Sequence, residues 1–153
     1  MRGTPVTSFQ TEFEAFVPKA LQAAFDIVDH DDAVETIWVV AHRVNTYIMA
    51  GPVYRVSGSV AAPLDLPEVL PTVDIADQID TITQIGLDAS DLMMIDPRHG
   101  PTRIVVRYDV AQQTMNADFA YEPLRMGPDD TLKEVFDGWV QRLRKTGNDS
   151  AAD

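Results

Sequence analysis

Carboxylates are the side chains in this sequence best placed to do chemistry. Residues 56–97 contain eight of them and no Lys, Arg or His, so this segment supplies −8 of the formal net charge of −12. Five carboxylates fall in or next to one predicted helix: Asp74, Asp77, Asp80, Asp88 and Asp91. Two carboxylates in different environments of a cleft can act as acid and base in hydrolysis. Here they form one solvent-facing stripe without Lys or Arg at i, i+4, which favours attraction of a basic protein surface.

The three histidines predict no metal centre. His30, His42 and His99 lie far apart and show none of the paired spacings that bind zinc. His42 has hydrophobic neighbours in a predicted strand, which is typical of a structural histidine. The run Asp29–Asp32 lacks the alternating carboxylates and distal glutamate of a calcium loop, so we expect a solvated acidic loop.

Motifs for nucleophiles and for anions are equally weak. The residues Ser57–Ser59 lack the G-x-S-x-G frame, and phosphate-cradling glycine loops are absent. Arg98 and Arg103 flank the one basic loop; it could hold an anion, but a turn explains its Gly and Pro residues. We therefore predict a binding protein with no catalytic residue, metal or cofactor. A small enzyme stays open as an alternative, and it needs a pocket that brings His99, Arg98 or His42 to a carboxylate.

Composition limits the class of binding partner and the cellular compartment that we expect. The 24 acidic residues against 12 basic ones argue against nucleic acid or an anionic membrane as partner, since phosphates require clustered Lys and Arg. Cysteine is absent, and neither a signal-peptide pattern nor a run of 18 apolar residues occurs, so we expect a cytoplasmic protein. The length of 153 residues fits one domain, which we place at 1–146, with a disordered tail at 147–153.

The first half of the chain predicts a helix followed by strands. Apolar residues recur at helical spacing over 13–28, and Thr11 with Glu14 has the form of a capping box. A turn is expected at Gly51-Pro52, and the proline-rich segment 61–71 predicts an irregular crossover. Residues rich in β-branched and aromatic side chains predict two or three antiparallel strands, in 36–44, 46–49 and 53–60.

The second half predicts a helix, a hairpin and a last helix. The middle helix takes Thr72 as its N-cap, and alternation predicts hairpin strands at 104–110 and 115–121. A capping box of Thr131 and Glu134 begins the last helix. The predicted fold is α+β, one antiparallel sheet with helices packed on it, in the order helix, two or three strands, helix, hairpin, helix. The apolar face of the middle helix is predicted as Ile75, Ile79, Ile82, Gly86, Ala89 and Met93.

The order of these elements carries a family resemblance. Trp38 opens the first strand, and the strand Ala117–Glu122 leads to a last helix that bears Trp139. In these features the chain resembles the YezG-like immunity, or antitoxin, family of bacteria. The resemblance implies a small α+β protein that binds a cognate polymorphic toxin, often a nuclease, and neutralises it. A nuclease needs a basic cleft for phosphate, so the five aspartates of the middle helix are the predicted partner-binding residues.

A weaker resemblance gives an alternative function. The chain is also similar to type III secretion chaperones, which are acidic α+β proteins with the order helix, three strands, helix, two strands, helix. That resemblance implies a homodimer that holds an unfolded segment of an effector. The two interpretations differ in what they expose: a chaperone is a stable dimer with apolar grooves, whereas an immunity protein binds a folded toxin domain.

Overall fold

A computed structural model describes residues 8–153 of the chain. Within this part the fold is α+β, as the sequence predicts, with four α-helices and one five-stranded antiparallel sheet. The helices are α1 (Phe9–Ile27), α2 (Leu66–Val69), α3 (Ile75–Met93) and α4 (Leu132–Thr146). The strands are β1 (Val34–Val44), β2 (Tyr47–Val56), β3 (Ser59–Ala61), β4 (Arg103–Asp109) and β5 (Thr114–Ala120).

The sheet has the strand order β3-β2-β1-β4-β5 and is covered on both faces. α1 and α3 pack on one face, and α4 packs on the other against Trp38, Val40 and Val105. Because β1 is central and covered from both sides, it is buried without interruption from Thr36 to Arg43. One strand therefore supplies side chains to two separate cores.

Two predicted signals in the first half of the chain are wrong. Ser8, not Thr11, is the N-cap of α1, and its hydroxyl accepts a hydrogen bond from the Thr11 N–H at 3.1 Å. Gly51-Pro52 lies inside β2, and the chain reverses instead at Asn45, which has a φ of 56°. A proline is tolerated there because β3 pairs only with Tyr54–Val56, so Pro52 has no strand on its outer side.

The central segment also differs from the prediction. The crossover contains a 3₁₀ turn and the one-turn helix α2, and Asp74 replaces Thr72 as the N-cap of α3. Gly86 lies within α3, which continues through it to Met93. The buried side of α3 is turned away from the predicted apolar face, so that Ile79 is 50% exposed while Ile85 and Leu92 are buried. Packing against α1 and β2 sets this rotation.

The second half follows the prediction closely until its last residues. The β4–β5 hairpin and the capping box of Thr131 and Glu134 at the start of α4 are confirmed. Residues 147–153, expected to be a disordered tail, are instead packed against the sheet. Ala151 is fully buried, and Asp149 and Asp153 form ion pairs with arginines of β4. The reason lies in long-range contacts, which the composition of a short polar segment does not reveal.

Candidate functional site

The predicted partner-binding aspartates lie on α3 and at its cap. A buried stripe that includes Ile85 faces α1 and β2, and this fixes which side of α3 points outward. Spacings of three, eight and three residues place Asp77, Asp80, Asp88 and Asp91 in one row on that outer side. We call this row the acidic face.

Asp74 has a structural task at the start of α3. Its carboxylate accepts a hydrogen bond from the Ala76 N–H at 3.0 Å, and a negative charge is favourable at a helix N-terminus. Asp74 is nevertheless exposed. It therefore continues the acidic face at the N-terminal end of the helix.

The acidic face is compensated at one position within the described residues. Lys19 Nζ of α1 lies 3.2 Å from Asp88 Oδ2, and Asp88 is the partly buried member of the row. Asp77, Asp80 and Asp91 are exposed, and none of them forms an ion pair with any other residue of 8–153. Three neighbouring carboxylates without a cation give this side of the molecule a negative potential.

A row of exposed apolar side chains runs along α3 and reaches the acidic face at its C-terminal end. Ile79, Leu87 and Met94 are 50%, 55% and 36% exposed. The eight-residue step from Ile79 to Leu87 turns by about 80°, so Ile79 lies on the side toward β2, while Leu87 and Met94 lie beside the acidic face. Single exposed apolar residues are ordinary on protein surfaces, but several on one helix that meet uncompensated charge are typical of a protein-binding surface. Helical periodicity predicts Ile79 on the buried face, so only the charged part of this surface is predictable from the sequence.

A groove of about 460 Å³ lies where the apolar row reaches the outer edge of β2. Its floor is the stretch of β2 that β3 does not cover, and α3 and α4 form its two walls. Leu64, which is 74% exposed, stands at its rim. The groove can receive an apolar side chain of a partner that also contacts the acidic face. Its apolar lining includes Met49, Ile75, Ile79, Ile82, Phe136 and Val140.

The residues named for an enzymatic site differ in their exposure to solvent. His99 is exposed, and its Nδ1 lies 3.4 Å from Asp96 Oδ1 of the same loop. His42 is fully buried, and its Nδ1 accepts a hydrogen bond from Arg103 Nε at 3.1 Å. Burial and the charge of Arg103 lower the pKa of His42 to about 3, so the ring is neutral and inaccessible. Arg98 is exposed while Arg103 is buried, and the basic loop therefore does not gather its two arginines.

A cluster that the sequence did not predict surrounds residues 148–153, which we call the terminal segment. Trp38 Nε1 and Arg107 Nη1 donate to Asp149 Oδ2 at 3.0 and 2.8 Å, and Arg103 Nη1 donates to Asp153 Oδ1 at 2.8 Å. Partial burial opposes ionisation of Asp149 and Asp153, but these hydrogen bonds outweigh it and lower the pKa of both carboxyls. No local signal in the sequence links Arg107 to Asp149, which lies 42 positions later.

Among residues 8–153 no three His, Cys, Asp or Glu side chains converge as metal ligands would. In the same range no helix combines the length and the apolar character that a membrane span requires.

Fold and surface together define a single-sheet α+β protein with exposed acidic and apolar side chains on one helix. No protein-family model and no curated protein matches the chain. The face on α3 is therefore interpreted from its own chemistry.

Proposed function

We propose that this protein is an immunity protein that binds a cognate toxin through α3 and neutralises it. The observation that carries this proposal is the pairing of two rows on one helix. Asp77, Asp80 and Asp91 are exposed and form no ion pair within residues 8–153, Leu87 lies exposed beside them, and Ile79 is exposed on the side of the helix toward β2. Charge attracts a partner over distance, and apolar side chains hold it once contact is made.

The chemistry of α3 indicates a basic partner. A toxin domain that cleaves nucleic acid needs Lys and Arg to bind phosphates, and a row of carboxylates can take the place of those phosphates. Opposed charges raise association rates towards about 10⁸–10⁹ M⁻¹s⁻¹ at low salt. Fast association suits an inhibitor whose partner is lethal before it is bound.

The apolar row supplies the affinity that charge alone lacks. Exposed ion pairs contribute roughly 0.2–1 kcal/mol each, because water and salt screen them. Full burial of a Leu or Ile side chain contributes about 1.5–3 kcal/mol, and Ile79 and Leu87 each start about half exposed. Covering both therefore adds about 2 kcal/mol. A contact of about 800 Å² per partner, the common size, is large enough to cover both rows.

The proposal predicts that a neighbouring reading frame encodes a protein with a toxin domain, and that domain is the partner used in the test. Co-expression should restore growth of cells that make that toxin domain. In stopped-flow measurements, the triple variant D77K/D80K/D91K should associate at least tenfold more slowly at low salt. Its association rate should also depend less on salt than that of the original protein.

A matched control separates the acidic face from net charge. The variant D32K/E122K/D129K changes the net charge equally at exposed positions outside α3. It should retain most of the association rate. Equal rates for all three proteins, or equal slowing in both variants, would contradict the role of α3.

A secretion chaperone is the second candidate, and two observations favour it. The described elements follow the order helix, three strands, helix, two strands, helix, apart from the one-turn α2. The groove at the outer edge of β2 offers an apolar site where an extended effector segment could lie. Sedimentation discriminates the two functions, since a chaperone is expected to be a stable dimer at micromolar concentration and to bind an unfolded segment.

A further inference from the structure

The terminal segment lies in a groove between α4 and the strands β4 and β5. Its main chain is held by side chains of the surrounding elements. Trp139 Nε1 donates to the Ser150 carbonyl at 3.0 Å, Arg103 Nη1 to the Ala151 carbonyl at 2.8 Å, and Arg142 Nη1 to the Ala152 carbonyl at 2.7 Å. Three successive carbonyls are thus recognised without any strand pairing. Such contacts depend on an extended backbone more than on particular side chains.

Two carboxylates anchor the ends of the terminal segment. Asp149 meets Arg107 and the indole of Trp38, and Asp153 meets Arg103, as described above. Between the two anchors Ala151 is fully buried, and its N–H donates to Asp118 Oδ2 at 2.7 Å. The groove therefore selects acidic groups four positions apart with a small side chain midway.

Three arginines of a strongly acidic protein meet at the groove. Arg103, Arg107 and Arg142 each donate to the terminal segment. Asp109, which pairs with Arg107, and Asp118 belong to the same groove and offset part of this charge. Burial and the neighbouring charge of Arg103 lower the pKa of Arg142, as expected where cations are crowded. Arg142 Nε is buried and has no hydrogen-bond partner within residues 8–153, so the groove has a donor that the segment does not use.

The groove also extends beyond the terminal segment, and the segment joins α4 through a glycine. A cavity of about 320 Å³ continues past Asp153, and its lining includes Arg103, Arg125 and Arg142 together with the carboxylates Asp130 and Glu134. The segment leaves α4 at Gly147, which has a φ of 74° and no atom within 4 Å of where a Cβ would lie. Rotation at this glycine can swing the segment away without disturbing α4.

We propose that this groove is a binding site for an extended acidic segment of another protein, and that residues 148–153 occupy it as an internal competitor. The charge of the groove and the chemistry of its present occupant argue for this ligand class. The acidic face on α3 lies on the other side of the sheet and attracts the opposite charge. The proposal is therefore independent of the function proposed for α3.

The test uses the full chain and the blocked peptide Asn-Asp-Ser-Ala-Ala-Asp as probe. The variant D149N/D153N weakens the internal occupant and leaves the groove intact. Trp38 and Trp139 are the two tryptophans of the chain, and both donate hydrogen bonds to the segment. Tryptophan fluorescence therefore reports occupancy. The peptide should bind this variant at least tenfold more tightly than it binds the original protein, and its Asp-to-Asn analogue should bind at least tenfold more weakly.

Controls decide among other occupants. The variant R107Q changes a partly exposed arginine of the groove and should weaken peptide binding when it is added to D149N/D153N. If the double variant D149N/D153N does not fold, D153N alone replaces it in these measurements. Absence of peptide binding to a folded variant would overturn the proposal and leave the segment as a fixed part of the fold. A fluorescence change given equally by sulfate would reduce the site to an anion pocket. A concentration-dependent dimer of the original protein that D149N/D153N abolishes would make a second copy the occupant and overturn it too.

Discussion

Acidification from pH 7 to pH 5 should destabilise this protein through His42. The ring is fully buried, Arg103 Nε donates to its Nδ1, and the ring of Phe136 lies 5.4 Å away between centroids. Burial first, and the charge of Arg103 second, lower the pKa of His42 to about 3, while the charge of Asp153 raises it by less. In the unfolded chain the same side chain titrates near 6.5. Between these values the unfolded state binds the proton and the folded state does not, so stability falls as pH falls.

The size of this effect follows from the two pKa values. Each pH unit below 6.5 costs about 1.4 kcal/mol until the folded-state pKa is reached, so the change from pH 7 to pH 5 amounts to about 2 kcal/mol. For a domain of this size that corresponds to a melting temperature lower by about 4–8 °C. The pKa values of Asp149 and Asp153 are lowered from 3.8, so these carboxyls affect stability below that pH. The change between pH 7 and pH 5 is therefore assigned to histidine.

Urea unfolding at pH 7 and pH 5 measures the effect, and two variants assign it. His42→Gln keeps an oxygen that can accept from Arg103 but does not titrate, so the difference between the two pH values should shrink to a few tenths of a kcal/mol. His99→Gln removes a histidine whose side chain is 80% exposed and should leave the difference unchanged. If H42Q retains the full pH dependence, or if the original protein shows none, the assignment to His42 is refuted.

Two further substitutions test the packing directly. Gly138→Ala in α4 should raise the free energy of unfolding by about 1 kcal/mol, because the new methyl group meets no atom within 4 Å and alanine favours a helix. Gly58→Ala should lower the free energy of unfolding by about 1–2 kcal/mol, because Gly58 has a φ of 86°, which is unfavourable for a residue with a Cβ. Urea unfolding that gives G138A and G58A the same stability would contradict the described backbone. Tyr54→Phe should cost about 1 kcal/mol, since the buried hydroxyl donates to the Ala24 carbonyl at 2.6 Å, and a neutral result would speak against this hydrogen bond.

The sequence predicted those elements whose signals are local. The hairpin of β4 and β5 follows from strict alternation, and the start of α4 follows from the Thr131 capping box. Gly51-Pro52 was mistaken for a turn, because only the short reach of β3 makes a proline acceptable inside β2. Whether a strand has an outer neighbour is a property of the sheet and cannot be read from a dipeptide.

The candidate site was likewise predictable only where its features depend on local sequence signals. The exposure of Asp77 and Asp80 follows from helical spacing, but the pairing of Asp88 with Lys19 depends on how α1 lies against α3. The exposure of Ile79 depends on the rotation of α3 about its axis, which β2 and α1 decide. The terminal segment was unpredictable for a stronger reason, since its partners in β1, β4 and α4 lie far away along the chain.

The sheet order also has a consequence for how the molecule assembles during synthesis. β1 with β2 and β4 with β5 are neighbours in sequence, whereas the pairing of β1 with β4 must close a loop of more than 50 residues. Closure of that loop is the slow, entropically costly step, and we expect it to limit the folding rate. Every residue of α3 leaves the ribosome before β4 emerges, and the arginines of β4 and α4 that hold the terminal segment follow later. The nascent chain could thus expose the carboxylates of α3 before the groove that holds the terminal segment has formed.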